Sequence, residues 1–353
     1  MARVAQTHEL WWEGKLDRPL VHLSLGGRYP AEGSPRAPWL SQATCADFSW
    51  SAEEIVDTFD WALSQNEYMG DAYPSVNFDA FGPGVLAAFC GARLDNSSGR
   101  VWFWPAEDKP ISGIHAVYDP ENKWAKRIRD IYRAGVSRWE GRVIMGMPDL
   151  GGILDAAASL VGTENLLYAL IDEPEEVDRL VGELETAWHA VYRDFAAVLA
   201  PQGGFTDWNG LLSKSPAYVL QCDFCYMIGQ EAFRRFVLGT LRRDTEKLTH
   251  TIYHLDGIGE LIHLDDILSL PRLNAVQWVY GAGKPGARHW LDVYRKIMDA
   301  GKQIMIIDGV AEFFDVWRQL GGTPYARWGM PAAERDRALA LLREIGIRED
   351  IGG

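Results

Sequence analysis

Of the 353 residues, only four are cysteine: Cys45, Cys90, Cys222 and Cys225. That is too few and too scattered to build a disulfide framework in a chain of this size. No apolar run approaches the roughly 20 residues needed to span a membrane as a helix. The first residues, MARVAQTHELWWEGKLDRP, lack a basic start followed by a long apolar segment, so no signal peptide is expected and the cytoplasm is the expected compartment. Lys and Arg form no cluster, and the formal charge is −14 with a pI near 5.1. A polyanion is repelled by most of such a surface, which argues against nucleic acid as a partner. There is no GxGxxG after the first predicted strand, which weakens a dinucleotide-binding open sheet. There is also no HExxH or HxH metal motif.

What the chain has in surplus is tryptophan, 15 in all. Most are expected in the core. The excess allows an aromatic-walled pocket for a flat or small polar ligand. Apolar residues make up 47% and charged residues 24%, so an ordinary globular core is affordable.

Strand-like runs begin near residues 20, 74, 143, 204, 218, 250, 274 and 303, with helical patterns between most of them. Ser51 opens one such helix with acids in its first turn. Strands alternating with helices imply parallel strands joined by crossovers, and eight such units predict a (β/α)8 TIM-type barrel. The reading includes an N-terminal extension and an insertion near residues 95–120, with the whole of 1–353 as one domain.

A barrel of this kind places reactive side chains at the C-terminal ends of its strands. Those ends carry Arg28 and Tyr29, then Asn77, Trp208, Asp223, His254 with Asp256, Gln277 with Trp278 and Tyr280, and Asp308. His254 and Asp256 lie two apart on one strand and so share a face. An imidazole beside a carboxylate suits acid–base work, metal ligation or hydrogen bonding to a polar substrate. With Asp223 they form a chemically reasonable set for a divalent metal such as zinc. The lone Cys222–Cys225 CxxC is weak as a metal or redox signal, because no second pair accompanies it.

Three segments carry a resemblance. "QCDFCYMIGQEAFRRFVLGTL", "YHLDGIGELIHLDDILSLPRLNAVQWVYGAG" and "GMPDLGGILDAAASLVGTENLLYALIDEPEEVDRLV" together resemble the uroporphyrinogen decarboxylase superfamily, which includes methyltransferases that work with corrinoid proteins. The resemblance runs from about residue 18 to 345 and implies a barrel of the same type. Two departures follow from it. Where the decarboxylases are arginine-rich near the first strand, this chain has Ser24-Leu25-Gly26-Gly27-Arg28-Tyr29, with Ser24 in place of an arginine. A substrate with eight carboxylates needs several cationic partners, so this argues against uroporphyrinogen. Where the zinc methyltransferases carry H-x-C, this chain has His254-Leu255-Asp256, and no Cys follows Cys225. That argues against a thiol-activating zinc site, because carboxylate is a harder ligand than thiolate.

The resulting expectation is an enzyme acting on a small polar or aromatic molecule, with methyl transfer linked to a corrinoid protein ranked first. His254, Asp256 and Asp223 would be catalytic, with His254 and Asp256 as possible metal ligands. Arg28, Tyr29, Asn77, Trp208, Gln277, Trp278, Tyr280 and Asp308 would contact substrate. A homodimer is compatible with the acidic surface. The alternatives are a uroporphyrinogen-type decarboxylase, an acid–base enzyme acting on a sugar, and a barrel that binds a ligand without turning it over.

Overall fold

The computed structural model describes residues 1–27 and 33–348. Arg28 and Tyr29 lie outside the described residues.

Among the described residues, eleven strands run in chain order: β1 (Leu20–Gly26), β2 (Glu67–Gly70), β3 (Ser75–Val76), β4 (Arg93–Asp95), β5 (Trp102–Trp104), β6 (Ile144–Met145), β7 (Ala217–Gln221), β8 (His250–Asp256), β9 (Ala275–Val279), β10 (Gln303–Met305) and β11 (Tyr325–Pro331). The main sheet has the order β2-β1-β11-β10-β9-β8-β7. All its neighbours are parallel except the β1–β2 pair. β3 and β6 form a separate parallel pair, and β4 and β5 an antiparallel hairpin at the start of the segment expected as an insertion. The architecture is therefore mixed α/β around a mostly parallel sheet, with helices between most successive strands.

Two details differ from the sequence reading. The run near residue 204 is not a strand of the sheet; it contributes one antiparallel bridge, Phe205 to Ser213. β11 was not among the expected strands, yet it lies between β10 and β1. Its residues alternate, with Ala326, Trp328 and Met330 buried and Arg327, Gly329 and Pro331 exposed, but Gly329 and Pro331 are residue types depleted in strands and weaken that signal.

The N-terminal extension is a helix, Ala2–Trp12, and it covers the edge where the parallel strands begin. Trp12 stacks on His250, the first residue of β8, with centroids 4.8 Å apart and planes 1° from parallel. His8 is fully buried, and its Nδ1 accepts the Leu212 amide at 2.9 Å. Its Nε2 then carries the proton and faces His22 Nε2 at 3.0 Å, while Tyr325 Oη lies 3.1 Å from His22 Nδ1. Burial lowers the His8 pKa to about 4 and takes His22 well below the ordinary histidine range. Both rings are neutral, and the lower half of the sheet's inner face is sealed by hydrogen bonds rather than by charge.

Candidate functional site

Register brings the site together. Gln221 pairs with His254, His254 with Gln277, Gln277 with Met305, and Met305 with Tyr325. Residues in one lateral row of a parallel sheet point to the same side. The inner face near the C-terminal edge therefore carries Gln221, His254, Gln277 and Met305. Trp278, one residue on from Gln277, points to the opposite side and is wholly buried against Trp290 and Tyr280.

His254 is held on two sides. Its Nδ1 lies 2.5 Å from Gln277 Oε1, and Gln277 Nε2 lies 3.0 Å from Met305 Sδ. An acceptor opposite Nδ1 places the ring proton there and leaves Nε2 with its lone pair free. Trp208 meets the imidazole edge-on at 5.0 Å between centroids. Burial lowers the His254 pKa, opposed by the Gln277 hydrogen bond and by the charge of Asp256, so the ring is neutral at pH 7.

Asp223 follows β7 in a short 3-10 turn, Asp223–Met227, rather than on the strand itself. One ligand atom from each of Asp223, His254 and Asp256 lies within 4.8 Å of the other two. Burial, and then the neighbouring Asp256, push the Asp223 pKa up to about 6. Among the described residues, no Lys or Arg pairs with Asp223 or Asp256.

A third carboxylate locks this arrangement. Asp155 accepts the backbone N–H groups of Gly152 at 3.1 Å, Asp223 at 3.1 Å and Phe224 at 2.7 Å. It thereby caps the helix Ile153–Val161 and fixes the turn that carries Asp223. Burial, then the charge of Asp223, raise its pKa to about 7. Gly152 is needed for this packing, because a Cβ there would meet the Gln221 carbonyl oxygen and, at 2.8 Å, Cys222 Cα. Gly152→Ala is expected to cost about 1–3 kcal/mol in urea unfolding, the usual cost of overpacking, and to loosen the Asp223 turn.

Other expected site residues are placed elsewhere. Asp308 accepts the Ala287 amide at 2.7 Å and so caps a turn, and Tyr280 stacks on Trp290. Asn77 is exposed just beyond β3 and donates to Asp79 at 3.2 Å. Gln277 is buried and committed to His254 and Met305. The sequence reading did not single out Asp155, Glu260 or Arg327 for the site. Arg327 lies on the inner face of β11, exposed, and donates to the Trp208 carbonyl at 2.8 Å. Glu260 is wholly buried behind the Asp223 and Asp256 loops, and neither of its oxygens has a hydrogen-bond partner of ordinary geometry. The D-A-A-A-S-L-V helix start would have marked Asp155 as a cap, but nothing local marks Glu260.

The whole chain superimposes on a methyltransferase from Methanosarcina mazei with a TM-score of 0.62, over 97% of this chain and 98% of that one, at 13% sequence identity. The fold is methyltransferase-like. No family model and no curated protein matches the chain. Among the described residues, no helix is long and apolar enough to cross a membrane.

The donor set suits a divalent metal. Two carboxylates and one neutral imidazole, with the imidazole's second nitrogen hydrogen-bonded, are the hard-to-borderline donors that zinc and other divalent first-row ions accept. The Gln277 contact is the outer hydrogen bond such a histidine ligand ordinarily makes. The residues fit.

Proposed function

We propose that the protein is a methyltransferase of the uroporphyrinogen decarboxylase superfamily, a cytoplasmic barrel enzyme that moves a methyl group between a small molecule and a corrinoid on a partner protein. The observation that carries this is the convergence of Asp223, His254 and Asp256 at the C-terminal strand edge of a methyltransferase-like fold. Closure of the barrel is supported by two single hydrogen bonds across the gap between β6 and β7. Met147 N donates to Thr206 O at 2.8 Å, and Val219 N donates to Asp207 Oδ2 at 2.7 Å.

In this reading Asp223, His254 and Asp256 hold one divalent cation, which would act as a Lewis acid on the heteroatom bearing the methyl group. When the methyl group passes as CH3+ to the nucleophilic cobalt, the bonding electron pair stays on that heteroatom, whose formal charge falls by one. His254, kept neutral with Nε2 free, offers a donor atom and not a competing positive charge. Gln277 fixes the ring, so little reorganisation is needed as charge builds. Trp208 walls the imidazole from one side and limits water.

The acid-rich centre gives no support to an octacarboxylate substrate. Glycosidases space their carboxyl groups by about 5 Å or more, and the donor atoms here lie within 4.8 Å, so the sugar reading gains nothing from the geometry. The test is to incubate the protein with a panel of methylated small molecules and a cob(I)alamin carrier. The expected result is the methylcobalamin spectrum with at least one of them. Its absence across the panel, with protein carrying one equivalent of zinc, manganese or cobalt, overturns the reading.

A further inference from the structure

A cleft of about 650 Å³ opens directly beside Asp223. Its outer wall is the β4–β5 hairpin, which contributes Trp102, Phe103 and Trp104. Phe224 and Met227 from the Asp223 turn form the facing wall, and the carboxylates of Asp155 and Asp223 close the inner end. The volume is that of a small-molecule site.

The chemistry of this lining is selective. Trp102 and Trp104 are 59% and 48% exposed, an uncommon state for two indoles on one short hairpin. Aromatic faces carry negative electrostatic potential, and the inner end carries carboxylates with no Lys or Arg partner among the described residues. Asp155 is positioned by three backbone N–H groups. A dication shared by Asp223 and Asp256 would leave that third carboxylate unbalanced. Arg100 stands at the cleft's edge, exposed, where solvent screens it. An anion is therefore disfavoured at the inner end. A bare metal ion makes no use of the indoles, and a neutral ring makes no use of the carboxylates. A weakly hydrated organic cation uses both.

We infer that this cleft binds a methylated ammonium group, with Trp102 and Trp104 as its aromatic wall and the Asp155–Asp223 end as its counter-charge. As a substrate site it deepens the methyl-transfer reading and rests on it, with the amine leaving as a neutral base that needs no Lewis acid on its nitrogen; as a binding site it stands alone.

The experiment is titration calorimetry of the full chain, metal-free and zinc-loaded, with choline and with its neutral isostere 3,3-dimethylbutan-1-ol. Choline is expected to bind at least tenfold more tightly than the isostere in both forms. Trp102→Leu and Trp104→Leu should each weaken choline at least fivefold while leaving the zinc affinity and the melting temperature unchanged. Equal affinity for the two probes, no binding of choline, or Leu variants that bind choline normally would each overturn the inference. Choline bound selectively but never demethylated by a cob(I)alamin carrier would uphold the site and overturn its role as the substrate site.

Discussion

Replacing Asp256 by asparagine is expected to weaken the affinity for a divalent cation at least a hundredfold, about 2.7 kcal/mol. The centre has three donors within 4.8 Å of one another, so each carries a large share of the cation's coordination. Asparagine keeps the shape but removes the charge, and an amide oxygen is a far poorer ligand than a carboxylate for these ions. His254→Asn should lose a similar amount. Gln277→Leu should lose less, about tenfold, because Gln277 acts through His254 by fixing Nδ1–H and the ring's orientation. Competition with a chromophoric chelator, followed by metal analysis of the recovered protein, measures all three. The graded order is the informative result. If Asp256→Asn retains the parent affinity, the trio is not a metal centre. If Gln277→Leu equals His254→Asn, Gln277 is holding more than the imidazole.

Glu260→Gln is expected to stabilise the protein at pH 8 by a few kcal/mol, an unusual direction for a change in a wholly buried residue. Burial first, then the charges of Asp223 and Asp155, raise the Glu260 pKa to about 10, and the Asp256 backbone opposes this only weakly. The folded state thus keeps a proton that the unfolded state releases near pH 4.5. The stability Glu260 allows is fully present below that value and is lost as pH rises toward 10, at up to about 1.4 kcal/mol per pH unit. Glutamine does not titrate, so the difference between variant and parent should grow steadily from pH 5 to pH 9. Urea denaturation at several pH values reads it directly. A difference independent of pH, or one that shrinks as pH rises, would mean that Glu260 is ionised in the folded protein and has a counter-charge.

These two experiments concern neighbouring groups with opposite duties. Asp223 and Asp256 face the mouth and can share their charge with a cation. Glu260 sits behind them with no hydrogen-bond partner, and its neutrality limits how much negative charge the same few ångströms must hold. Removing its titration should leave cation affinity nearly unchanged at neutral pH, which separates the two effects.

Period and chemistry were local, and so they were legible in the sequence. The alternation of strand and helix was enough to predict parallel strands with reactive ends, and the i, i+2 spacing of His254 and Asp256 put both on one face because a strand repeats every two residues. The helix start at Ser51 was equally plain: Ser51 Oγ accepts from Glu54 N, and the Glu54 carboxylate accepts from Ser51 N. What depended on partners distant in the chain had no local signal. Trp278 and Gln277 are adjacent letters, and only their parity against β8 and β10 sent one to the outer core and the other to His254. β11 alternates buried and exposed residues, but Gly329 and Pro331 weaken its strand character, and its place beside β1 joins residues about 300 apart. The collective burial that makes Asp155, Asp223 and Glu260 reluctant to ionise belongs to no single residue, since each pKa rises with the dielectric and the charges that the folded chain places around it. The sequence by itself determined which side chains were available and on which face of β8 they stood. The tertiary structure alone decided which of them met, which were neutral, and that the hairpin tryptophans stand beside carboxyl groups with no Lys or Arg partner among the described residues, because those are properties of distance and solvent exclusion rather than of spacing along the chain.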